Sequence, residues 1–161
     1  MTMTETHPEL GDNRLPSNPL LSEVLAKVSK QRTKAKKIQV LKENESLHLK
    51  SVLIWNFDDT VVSVLPEGPV PFDKNEAPAG TEHTYLAHEH KILYNFIKGG
   101  NDFLKPVKRE QLFLQLLEGL HEDEAEVICL MKDKKLTDKY KITKAVVSEA
   151  FPDIEWGGRG G

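Results

Sequence analysis

Leu112, Phe113, Leu116, Leu117 and Leu120 recur at the spacing of one helix face, and this stripe constrains the fold more than any other feature of the chain. A strand would divide these side chains between its two faces. Pro106 suits the first turn of the same helix, where a missing N–H costs nothing. The next segment opens on Glu122, Asp123 and Glu124 and closes on Lys132, Lys134 and Lys135, the charge order that a helix dipole favours at its two ends.

The rest of the chain reads the same way. Leu21, Val24, Leu25 and Val28 fall at helical spacing; Gln31 and Arg32 interrupt the stripe, which resumes at Ala35, Ile38 and Leu41, so one bent helix or two short ones satisfy the pattern. A further helix is expected from residue 47 to about residue 55. Another, capped by Thr81 or Thr84 and carrying Leu86, Leu93 and Ile97, should end at Gly99 and Gly100. A last one over residues 143–151 stops at Pro152. Residues 65–80, "LPEGPVPFDKNEAPAG", hold four prolines and two glycines and form an extended connection.

The expected architecture is therefore all-α: one compact, bundle-like domain of five to seven helices over residues 20–152. Leu93, Leu112, Phe113, Leu116, Leu117 and Ile128 should share its core. Residues 1–19, polar and proline-spaced, read as a disordered arm, and residues 153–161 as a flexible tail. At 161 residues the chain is long enough for one real core, and no internal period marks a solenoid. It has no apolar run of membrane-spanning length and no apolar signal-peptide core, and its sole cysteine, Cys129, lies in an apolar stretch as a buried thiol. These features lead us to expect a soluble protein of a reducing, intracellular compartment.

"SVLIWNFDDTVVSV", residues 51–64, has the outline of the aspartate-nucleophile phosphatases, an apolar segment followed by D-x-D-x-T. That chemistry needs a carboxylate at the first motif position, and here Asn56 stands there, a neutral amide unable to attack phosphorus. The β–α alternation of such enzymes is also missing downstream. We therefore expect a segment that buries Leu53, Ile54, Trp55 and Val62 while Asp58 and Asp59 face water.

His83, His88 and His90 are separated by five, two and seven positions, whereas ligands on one helix face must stand three or four apart. No metal site is expected; His90 belongs to the Leu86–Leu93–Ile97 stripe, and His121 reads as a helix cap. The chain has no phosphate loop, nucleophile elbow or C-x-x-C pair. The glycines of "KGGND" are explained by a helix end. No catalytic residue and no cofactor is assigned, and the only polar cluster that an unrecognised enzyme could draw on is Asp58, Asp59, His88 and Glu89.

One feature calls for a partner. Between Glu23 and Glu43 lie seven basic residues and no acidic one, although the whole chain carries a net charge of −3. On a continuous helix Lys27, Lys30, Lys34 and Lys37 would share the side opposite the apolar stripe, with Arg32 and Lys36 beside them. Such a face suits the phosphate backbone of DNA or RNA without sequence readout, and equally an acidic protein surface or plain solvent. It lacks interleaved aromatics, so base stacking is not expected from it. A second candidate contact is Ile154 with Trp156 in the tail, which either packs back on the domain or anchors a partner.

The strings "TKAKKIQVLKEN", "LPEG", "NEAPAGTEHTYLAHE", "LYNFIKGG" and "LLEGLHEDEAE" resemble an uncharacterised protein family of T4-like tailed phages, chiefly those of marine cyanobacteria. The resemblance spans roughly residues 20–152 and implies action in the cytoplasm of an infected bacterium or in the virion. The family has no assigned activity, so no residue role is carried over. Three classes follow: a non-enzymatic accessory protein of phage DNA or RNA metabolism, contacting nucleic acid and a replication or transcription protein; a virion component or assembly factor; or an enzyme of unrecognised type.

Overall fold

The computed structural model describes residues 15, 16, 18–75 and 84–160. Eight α-helices follow one another among them: α1 (Leu21–Ser29), α2 (Lys34–Glu43), α3 (Leu47–Phe57), α4 (Leu86–Glu89), α5 (Pro106–Gly119), α6 (Glu122–Lys132), α7 (Leu136–Tyr140) and α8 (Lys144–Ala150). A 3-10 segment, His90–Phe96, continues α4. The domain is all-α, as the periodicities predict; the only β pairing among the described residues is two isolated bridges, Ser63 with Ile97 and Asn75 with His121.

The helix beyond the expected five to seven is α7, which the sequence reading did not anticipate, and the first stripe takes the two-helix alternative. Thr33 adopts an extended backbone and its hydroxyl accepts from the Lys36 N–H at 3.2 Å, restarting the chain as α2. Ser46 opens α3 in the same manner, and His121 caps α6 through Nδ1, which accepts from the Asp123 N–H at 3.1 Å. Thr84 is not a cap, because its N–H donates to the Gly119 carbonyl at 3.0 Å and ties the start of α4 to the end of α5. The alternative cap, Thr81, lies outside the described residues, as do His83 and most of the expected arm.

Helix α6 is the hub, packing against α1, α3, α5 and α7, while α2 lies between α1 and α8. Leu93, Phe113, Leu116, Leu117 and Ile128 are buried together, and Leu112 packs against them at the boundary. Phe96 meets Phe113 edge to face at 5.1 Å. Cys129 is half-buried and free, and burial pushes its thiol up to about 11.

Three charged side chains tie helix ends across this core. Glu124, expected to serve the dipole of its own helix, is buried; its carboxylate accepts from the first N–H of α1 (Leu21, 2.9 Å) and of α4 (Leu86, 3.2 Å). Lys134 donates to the Trp55 and Asp58 carbonyls at 2.6 and 2.8 Å, satisfying the end of α3. Lys132 pins the proline-rich connection through the Pro66 and Gly68 carbonyls at 2.7 and 3.2 Å. No helix among the described residues is long and apolar enough to cross a membrane.

Candidate functional site

The break between α1 and α2 reshapes the lysine face. Lys27 closes α1 half-buried, Lys30 and Arg32 stand exposed in the turn, and Lys34, Lys36 and Lys37 form the first turn of α2. The six do not share one continuous helix side. Lys34 reaches across to Glu149 of α8 at 2.9 Å, and Lys37 donates to the Lys141 carbonyl at 2.7 Å, so two of the lysines dock α2 on the end of the chain. Lys30, Arg32 and Lys36 remain exposed, with no ion pair or side-chain hydrogen bond among the described residues. No acidic residue occupies the first turn of α2. Cations therefore crowd the end of a helix where the dipole is itself positive, an arrangement that disfavours each nearby charge by about 0.3–1 kcal/mol and that Glu149 offsets at Lys34.

A cleft of ≈ 920 Å³ opens beside the start of α1, with Glu23, Glu45, His48, Tyr85, His88 and Glu124 in its walls. His48 stands 6.2 Å, ring to ring, from His90, and burial, then the neighbouring imidazole, lowers its pKa. Burial also lowers His90, followed by the charge of Lys91. Among the described residues no group of three or more His, Cys, Asp or Glu comes together to hold a metal ion.

The phosphatase-like motif has a different use. Asn56 is buried and its side-chain oxygen accepts from the Leu136 N–H at 3.1 Å, the first of α7. Asp59 faces water as expected, but Asp58 does not: it is 1% exposed. Its carboxylate accepts from the Thr60 N–H and hydroxyl at 2.8 and 2.6 Å, from the Gly157 N–H at 2.9 Å and from Arg159 Nη1 at 2.5 Å. Burial alone would raise this carboxyl; the bonds from the Thr60 hydroxyl, the Gly157 and Thr60 amides and Arg159 outweigh it and hold the group well below the usual carboxylate range. Neither His88 nor Glu89 is among its partners, so the four-residue polar cluster is not assembled around Asp58.

The same bonds correct the reading of residues 153–160 as a flexible tail. Arg159 also donates its amide to the Thr60 hydroxyl at 3.0 Å, and Lys50 of α3 grips Asp153 at 3.0 Å. Ile154 and Trp156, offered as a partner anchor, pack against the domain's own core. The indole N–H of Trp156 donates to Ser148 Oγ at 3.1 Å, and Lys144 lies 5.0 Å from its ring centroid. Packing back was one of the two alternatives for Trp156; the bonds from Gly157 and Arg159 to Asp58 had no signal in the sequence pattern, because those partners lie about a hundred positions apart.

Compared with known protein families, residues 24–138 match a family of unknown function (DUF6433). No curated protein and no solved structure matches the chain.

Proposed function

The chain belongs to this family of unknown function (DUF6433), and from that premise we propose that it is a non-enzymatic accessory protein of phage DNA or RNA metabolism that holds nucleic acid by its phosphate backbone. The observation that carries the reading is the α1–α2 corner, where Lys30, Arg32 and Lys36 stand exposed and unpaired among the described residues. A polyanion relieves their mutual repulsion and gains entropy by releasing counterions. Lys34 and Lys37 serve differently, holding α2 in place through Glu149 and Lys141. The resemblance to proteins of T4-like phages supports a role in the cytoplasm of an infected bacterium. Asp58 supports the non-enzymatic part of the reading, since its lone pairs are spent on holding the chain's end.

Affinity capture of the tagged protein from infected cells, with and without nuclease, tests this function. Nucleic acid should co-purify with the wild-type protein and not with a variant carrying Lys30→Ala, Arg32→Ala and Lys36→Ala. Capture of a protein partner alone, unchanged by nuclease, would replace nucleic acid with an acidic protein as the ligand of this corner.

A further inference from the structure

Phe103 is 98% exposed, the largest exposure of any large apolar side chain among the described residues. The loop that carries it is firmly braced. Arg109 of α5 donates to two of its carbonyls, Asn101 at 3.1 Å and Leu104 at 2.8 Å, and to the Asn95 carbonyl of the preceding 3-10 segment at 3.0 Å. Asn101 bonds the Asn95 side chain at 2.8 Å. Gly99 takes a φ of 84°, and a Cβ at Gly100 would sit 1.9 Å from the Tyr94 carbonyl, so only glycine permits this close approach. An aromatic ring held out by such a scaffold adds nothing to the core and is free to meet a partner.

The surroundings select the partner. Lys98, Lys105 and Lys108 are all exposed and make no ion pair among the described residues. Projecting aromatics among lysines are what single-stranded nucleic acid requires, since bases stack on the rings while the cations follow the phosphates. Insertion into an anionic membrane fits less well, because the exposed Asp102 beside Phe103 would be carried toward the lipid, whereas stacking leaves it in water.

We infer that the loop before α5, with the first turn of that helix, is a stacking platform for single-stranded nucleic acid, with Phe103 receiving an unpaired base and Lys98, Lys105 and Lys108 its flanking phosphates. The choice of polymer rests on the nucleic-acid reading above, but the residues are separate from the α1–α2 corner, so the two can fail separately.

The test is binding of the full chain to a fluorescently labelled oligothymidylate and to a duplex of equal length at low salt. Phe103→Ala should weaken oligothymidylate binding about 5- to 150-fold, the range for loss of one base–aromatic stack, with little change toward duplex. Phe103→Trp should retain binding, and the added emission should be quenched by the strand. Equal oligothymidylate binding by wild type and Phe103→Ala overturns the platform. If that binding still falls on alanine substitution of Lys30, Arg32 and Lys36, the corner survives alone; if wild type binds neither polymer, both readings fail. Phe103-dependent binding to vesicles of mixed phosphatidylcholine and phosphatidylserine, without oligothymidylate binding, also overturns the platform and assigns the loop to membranes.

Discussion

Arg159 and Asp58 are separated by 101 positions in the chain and meet in an ion pair of 2.5 Å in which the carboxylate is almost wholly buried. This contact fastens the last described residues to the end of α3. Asp58→Ala leaves the Thr60 and Gly157 donors without their acceptor and should cost about 3 kcal/mol. Arg159→Ala, at a side chain one-third exposed, should cost only about 1 kcal/mol, because solvent screens the pair and Asp58 keeps its other donors. Urea unfolding of both variants checks the order.

The same carboxylate sets a pH dependence. Its folded-state pKa lies below its unfolded one, so the stabilisation is complete above about pH 4, the unfolded carboxyl range, and is lost as pH falls from there toward the folded value. Asp58→Asn should flatten this part of the stability profile. An unchanged acid limb would assign acid unfolding to other groups.

His48 gives a second, separate window. Its folded pKa is depressed by burial and by His90, so its contribution is complete above about pH 6.5 and is lost as pH falls below that. His48→Gln should reduce the loss of stability as pH falls below about 6.5, leaving the part that His90 contributes, and thermal melting at pH values on either side of 6.5 reads the difference.

Glu124 joins two helix starts. Glu124→Ala leaves the Leu21 and Leu86 amides without this acceptor inside the protein and should cost about 2–4 kcal/mol. Glu124→Gln, which keeps an acceptor oxygen, should cost less. Denaturation midpoints equal to wild type in both variants would show that neither amide depends on the carboxylate.

How far the sequence could be read follows from the range of each interaction. Apolar spacing is local, so the stripe of α5, the buried Phe113, Leu116 and Leu117, and the cap His121 leave a mark within a few residues of themselves. The ties made by Glu124, Lys132 and Lys134 leave none, because acidic residues at the start of a helical stretch and lysines at its end are already explained by the helix dipole, and that nearer explanation suffices for the pattern. Asp58 was misjudged for the same reason: an acidic residue after an apolar run normally faces water, and its partners, Gly157 and Arg159, lie in a glycine-rich segment without periodicity. The basic segment was visible as composition. Its division into docked lysines and exposed ones was not, since Thr33 decides where α2 begins and Glu149 and Lys141 decide which lysines are held.

The central claim is that Lys30, Arg32 and Lys36 bind the phosphate backbone, and the salt dependence of DNA affinity tests it most directly. For duplex DNA the slope of log affinity against log salt should lose about 0.9 in magnitude for each cation removed, so the triple alanine variant should fall short of wild type by between about 2 and 3. The reduction should appear equally on unrelated sequences, since backbone contacts carry no base readout. Identical slopes for wild type and variant would contradict the account, whatever the absolute affinity.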